Sequence, residues 1–233
     1  MKKTFQNIIL PLNIALILAI VLGDICYITL GGLAIKATTS IFFVLLGTVN
    51  LIYAIFTKKP LVFPIIMTIG LIFAMLGDIF LNIEFIVGAL LFAVGHIVFF
   101  IAYNCNQKFK LTDLIYTLAI FIPSIIFILF MPFLDFGDLL MEIIVTCYAL
   151  IISFMVGKSI ANLVNQPTAQ NILITIGSIL FFFSDLMLLL DVFGNLSAVF
   201  EVLCLVTYYP AECLLAMAIF THKNNAGDNP KTK

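Results

Sequence analysis

Asp78 and Asp185 each interrupt a long apolar stretch. Asp78 stands in MLGDIFLN (75–82) and Asp185 in FFSDLMLLL (182–190), directly behind Gly77 and Ser184. A carboxylate costs roughly 2.5 kcal/mol or more at the centre of a membrane helix, so it is rarely kept there without a task. Other groups that hold or move protons have similar surroundings: His96 in GALLFAVGHIVFF (88–100), and Tyr208 and Glu212 in LVTYYPAECLLA (205–216). Carboxyls, an imidazole and a phenol shielded from water are the equipment of general acid–base chemistry. No metal and no cofactor are expected. His96 is the only histidine inside an apolar run, and no second His or Cys stands at ligand spacing from it.

The elements that must position these groups follow from composition. The 233-residue chain is 64% hydrophobic and 10% charged, with a mean hydropathy of +1.25; a soluble domain is about a quarter charged. Apolar runs of about 20 residues, each enough to cross a bilayer core about 30 Å thick, recur along its whole length. Their boundaries predict eight spans, at about 8–30, 36–56, 60–82, 84–104, 112–133, 139–161, 170–190 and 196–220. The expected fold is therefore all-α, a polytopic bundle of eight transmembrane helices forming one domain over residues 1–222. A disordered polar tail is expected over 223–233, with His222 opening the polar segment. The two lysines and the apolar run at the N-terminus resemble a signal peptide, but Asp24 follows that run directly and no small-residue cleavage site precedes Lys36. The first span is expected to be retained.

Eleven lysines and no arginine set the orientation. With both termini cytoplasmic, ten lysines fall on the cytoplasmic side and only Lys36 falls outside, as the positive-inside rule requires. A plasma membrane is the default location for such a chain. The net charge of −1 and the lack of a basic stripe point away from nucleic acid. The five cysteines show no CxxC spacing and read as small packing residues. Asn195-Leu196-Ser197 matches a glycosylation sequon that is too common to use.

Helical geometry, at 100° per residue, tells which polar residues share a face. In the fourth span Gly88, Phe92, His96, Phe99 and Tyr103 coincide. In the last, Glu201, Leu205, Tyr208 and Glu212 do; in the first, Asn13 and Asp24; in the third, Asp78 and Asn82. These faces should converge on a common interior, leaving Leu, Ile and Phe to the lipid. Asp24, Asp78 and Asp185 lie on the order of 7–10 Å outward of their span centres at about 1.5 Å per residue. The expected cavity is polar in its outer half and apolar below, which suits an amphiphile. Spans three and four and spans seven and eight both read small-Asp-x-x-Leu and then a polar span, a candidate parallel repeat.

From Lys59 to Phe220 the chain resembles the YhhN family, also called the lysoplasmalogenase family, of eight-span membrane proteins. The resemblance rests on Lys59-Pro60, on Gly77-Asp78 with Leu81, and on Phe85, Gly88, Phe92, His96 and Tyr103. It continues through Ser184-Asp185 and Tyr208 with Ala211. One position departs: Glu212 stands where a neutral Gln or another polar residue is expected. The resemblance implies hydrolysis of the vinyl ether bond of a lysoplasmalogen, giving a fatty aldehyde and glycerophosphoethanolamine or glycerophosphocholine. Asp78 and Asp185 would then be the catalytic pair, one an acid and the other stabilising a cation or activating water, a logic akin to two-carboxylate glycoside hydrolysis. His96, Tyr208, Glu212, Asn82, Tyr103 and Ser184 would bind or orient the lysophospholipid. Partners would be that substrate and membrane lipids, and the oligomeric state stays open.

Two other classes fit the residues. A transporter coupled to protons or cations would use the same buried acids, but should show spans broken by Gly or Pro at matching places in its halves; Pro64, Pro123 and Pro210 do not match across the repeat. A non-catalytic lipid-binding bundle is the other. A retinal protein is not expected, because the spans place no lysine in the membrane interior; Lys158 stands close to a span end.

Overall fold

The structure, a computed structural model, describes residues 2–194, 196–197 and 199–222, with side chains from residue 6 onward. The tail over 223–233 and Asn195 of the sequon lie outside the described residues. Eight helices run through the rest: α1 (Lys2–Leu30), α2 (Leu33–Phe56), α3 (Val62–Phe80), α4 (Phe85–Asn106), α5 (Asp113–Phe130), α6 (Leu139–Asn165), α7 (Ala169–Phe193) and α8 (Val199–Thr221). All eight are long and apolar enough to cross a membrane. They continue unbroken through the internal prolines Pro11, Pro123 and Pro210, so the discontinuous spans typical of many transporters are missing among the described residues.

Local chemistry explains the punctuation. Gly31 and Gly32, at φ +67° and +100°, turn the chain between α1 and α2 where an L side chain would be strained. Asp138 and Thr168 cap α6 and α7 by accepting the N–H groups of Met141 and Asn171. The short connections make successive helices antiparallel. The end where α1 begins is called here the near face, and the opposite end the far face.

Packing forms a closed ring in which α3 meets α4, α4 meets α6, α6 meets α7, α7 meets α8, and α8 returns to α3. Helices α1 and α2 lie against α8 on one flank, and α5 lies against α6 alone on the other. Tyr208 fills the middle of the ring, edge-on to Phe92, Phe181 and Phe43 at 5.8, 5.4 and 6.0 Å between centroids. Isolated polar pairs tie neighbouring helices. Asn13 donates to Asn50 (2.8 Å), Asn50 donates to the Ala216 carbonyl (3.1 Å), and Asn162 donates to the Tyr103 carbonyl (2.9 Å).

Two buried lysines and one correction concern the helix ends. The helices do hold lysines: Lys36 and Lys158 are buried inside α2 and α6, paired with Asp78 and Asp113 at 3.0 and 2.8 Å. Lys158 lies within the span expected over 139–161 and Lys36 in the first turn of α2, so both stand toward helix ends, as expected. His222 is not part of a loose segment. It is buried, its Nδ1 lies 3.2 Å from Gln170 Oε1, and its ring stacks on Phe63 at 4.9 Å. Beside it Lys59 donates to the Phe220 carbonyl (2.7 Å), so the near end of α8 is tied to the start of α3 and α7.

Candidate active site

An apolar cavity of about 450 Å³ opens in the far half of the bundle between α4, α5, α6 and α7. Its walls include Phe85, Phe92, Ile120, Phe127, Val145 and Leu189. Asp185 and Tyr148 are the groups on this wall able to move a proton readily, with the Ser124 hydroxyl opposite on α5. Asp185 stands about 12 Å below Phe193, the far end of α7, at about 1.5 Å per residue. The polar groups therefore sit deep, with hydrocarbon walls above them. The outer part of the cavity is thus apolar rather than polar as expected, because the outer halves of α4 to α7 contribute Phe, Ile, Leu and Val to the lining; below Asp185 and Tyr148 the wall is again apolar, with Phe182 and Ile152.

Three helices build the polar end. Tyr148 (α6) donates to Asp185 Oδ2 (α7) at 2.7 Å, and His96 Nε2 (α4) lies 3.1 Å from the same oxygen and 2.8 Å from the Tyr148 hydroxyl. His96 is fully buried, edge-on to Tyr148 and Phe181, and its Nδ1 has no partner. With Tyr148 and His96 both on Oδ2, the second carboxyl oxygen of Asp185 has no hydrogen-bond partner among the described residues. The register of α4 explains the reach of His96: Gly88, Phe92, His96, Phe99 and Tyr103 are all buried on one face of that helix.

Asp78 has a separate set of partners. Its Oδ1 pairs with Lys36 Nζ at 3.0 Å, and its Oδ2 accepts from the hydroxyls of Ser40 and of Tyr209, the latter at 3.1 Å. It is 3% exposed and is not part of the cavity wall. Lys36 also lies over the Tyr27 ring, 5.3 Å from its centroid. Asp24 is buried nearby, with Oδ1 unpartnered. The two aspartates thus share no hydrogen-bond partner. Cys204 lies between their networks, close enough to feel Asp185, Lys36 and Asp78.

The remaining sequence candidates divide. Ser184, next to Asp185, donates to the Cys204 carbonyl at 3.0 Å and so stitches α7 to α8. Tyr208 donates to the Ala74 carbonyl (3.2 Å) and is enclosed by rings. Asn82 donates to the Asp78 carbonyl (3.0 Å) and lies 3.4 Å from the Tyr27 hydroxyl. Tyr103 pairs with Ser178 at 2.9 Å, a turn or more nearer the near face than His96. Glu212 is completely buried, and neither of its carboxyl oxygens has a hydrogen-bond partner. No group of three metal-ligating side chains occurs among the described residues.

Sequence reasoning missed Tyr148, Lys36, Ser40 and Tyr209. Tyr209 adjoins a residue that was singled out and turns toward Asp78 while Tyr208 turns inward. Ser40 lies one helical turn after Lys36, which was a usable sign that the lysine has a polar neighbour on its face. Tyr148 has no comparable local sign.

The eight-helix architecture carries a family signature over most of its length: the YhhN family model matches residues 31–219. The chain belongs to the YhhN family. That match runs from the turn before α2 almost to the end of α8, so it includes both aspartate networks of this YhhN protein and all four walls of its cavity. No curated protein matches it, and no solved structure does.

Proposed function

We propose that this YhhN protein hydrolyses the vinyl ether bond of a lysoplasmalogen, with Asp185 as the group that acts on the substrate. The observation that carries the reading is the meeting of His96 and Tyr148 on one oxygen of Asp185, at the deep end of an apolar cavity. The cavity suits an alkenyl chain, and the polar end suits the bond that joins the chain to glycerol.

The chemistry is acid catalysis. A proton passes from the Asp185 carboxyl to the outer carbon of the C=C–O unit, and the positive charge is shared by the inner carbon and the ether oxygen. Water adds to the inner carbon and loses a proton to the Asp185 carboxylate, forming a hemiacetal. Collapse of the hemiacetal breaks the bond between that carbon and the glycerol oxygen, releasing the aldehyde and the glycerol alcohol. His96 and Tyr148 fix the carboxyl and hold its charge while it is an anion, as donors aimed at developing charge do in other enzymes. Asp78, with Lys36 and two hydroxyls upon it, is assigned a positioning role in the adjoining network.

The test is aldehyde release from 1-alkenyl-lysophosphatidylethanolamine by the purified protein, with Asp185→Asn as the control. Aldehyde from the wild type alone supports the reading. Equal turnover by the variant removes Asp185 from the chemistry, and no aldehyde from folded protein with either the ethanolamine or the choline substrate removes the activity.

A further inference from the structure

The cavity is bounded in two different ways. At the far face it is roofed by the α5–α6 connection. The Asp135 N–H donates to the Phe193 carbonyl at 2.9 Å. Phe136 and Phe85 press on the Phe193 ring at 5.1 and 5.7 Å, and Phe133 packs edge-on against Phe127 at 6.2 Å. Sideways, the wall is α5 itself, through residues such as Ala119, Pro123 and Ile128. Yet α5 packs only on α6; neither α4 nor α7 comes against it. Ala119 and Pro123 belong to the cavity wall and are nevertheless exposed. The seams on either side of α5 therefore lie exposed on the flank of the bundle, the side that a bilayer would cover.

The mechanics of α5 are equally uneven. Its near end is fixed: Lys158 Nζ pairs with Asp113 Oδ2 at 2.8 Å and donates to the Lys108 carbonyl at 3.2 Å. Gly157 leaves no room for a Cβ against the Thr117 backbone, so α5 and α6 touch there. Halfway along, Pro123 lacks the N–H that would bond the Ala119 carbonyl, which weakens the helix at the cavity wall. The helix is thus anchored at one end and easiest to bend where it borders the cavity.

We propose that a single-chain membrane lipid reaches the cavity sideways from the bilayer, past the far half of α5, with its hydrocarbon chain against the α5 wall while the roof stays closed. This rests on the hydrolase reading for the identity of the lipid, but the route can be tested without turnover. The probe is a saturated 1-alkyl-lysophosphatidylethanolamine carrying a diazirine in its chain, added to vesicles holding the full-length protein. Photolabelling is counted only where excess unlabelled 1-alkyl-lysophosphatidylethanolamine competes it away. The expected result is competable label on cavity residues of α4 and α5. Capping the roof with a maleimide–polyethylene glycol at Asp135→Cys, with the exposed Cys26, Cys105 and Cys147 replaced by Ala, should leave labelling within twofold. Ala119→Trp, at an exposed position on the side seam, should cut it at least tenfold. Loss of label on capping, or unchanged label in Ala119→Trp, overturns the sideways route; absence of any competable label overturns the occupant. Competable label without aldehyde release would refute the hydrolase reading alone.

Discussion

Asp78 and Asp185 occupy matching places in two helical hairpins, and the bundle treats them differently. Asp78 is enclosed among α2, α3 and α8, with a lysine and two hydroxyls satisfying it. Asp185 has two neutral-capable partners, His96 and Tyr148, on one oxygen and a cavity on its other side. The same short motif, a small residue followed by Asp, is fully enclosed in one hairpin and borders a cavity in the other. A carboxyl whose oxygens are all engaged by the protein holds helices together; one with an unengaged oxygen beside a cavity is available to a substrate.

The sharpest way to break this contrast is to remove each carboxylate. Asp185→Asn should fold like the wild type and lose about 10²- to 10⁴-fold in turnover, the range of a general acid; aldehyde release and a thermal midpoint measured together check both halves. Asp78→Asn should instead cost about 3–5 kcal/mol of stability by leaving Lys36 buried without its counter-ion. Adding Lys36→Met to an Asp78→Leu background should recover most of that stability in a denaturant titration, together with turnover. A stable double variant without turnover would return Asp78 to the chemistry.

Tyr148→Phe removes the hydroxyl that donates to Asp185 Oδ2. A hydrogen bond to a charged group is worth about 1.5–3 kcal/mol, so the rate should fall by roughly 10- to 100-fold with KM little changed. Glu212→Leu should raise stability by about 1 kcal/mol, since the wild-type carboxyl is buried without hydrogen bonds. A collapse of turnover in that variant would place Glu212 at the substrate.

The smallest effect is at the near face. Burial, and then the charge of Lys59, push the His222 imidazole down to about 4 from its usual 6.5. The unfolded chain therefore binds a proton between pH 6.5 and 4 that the folded chain does not, and stability contributed by His222 falls as pH drops through that window. Lys59 is itself pushed down to about 8 by burial, and Gln170 faces the imidazole from α7. The midpoint difference between wild type and His222→Phe should shift toward the variant below pH 6.5 and be flat above it.

Much of this was legible in the chain. Apolar run length marked all eight spans, and the 3.6-residue period placed His96 on the buried face of α4 with Phe92 and Tyr103, because a helix fixes which side chains share a face whatever its neighbours are. Partnership between helices was not legible. Tyr148 sits in an apolar run like any other, and its meaning comes from Asp185 and His96, which are distant in sequence. Lys36 reads as a loop charge because it follows a Gly-Gly turn. In the bundle its long stem carries the ammonium to Asp78, a reach that no sequence period records.

The lengths of the helices around the cavity have a consequence for the lipid outside it. Helix α5 has 18 residues, so it is about 27 Å long, whereas the 27-residue α6 beside it is about 40 Å. A hydrocarbon core about 30 Å thick matches neither, and each ångström of mismatch costs a fraction of a kcal/mol. A bilayer that adapts to the shorter of the two would thin along α5, the helix that walls the cavity. Lipids beside a thinned wall would stand closer to the depth of Asp185, so entry past α5 would make membrane thickness a setting on how readily they leave the bilayer for the protein.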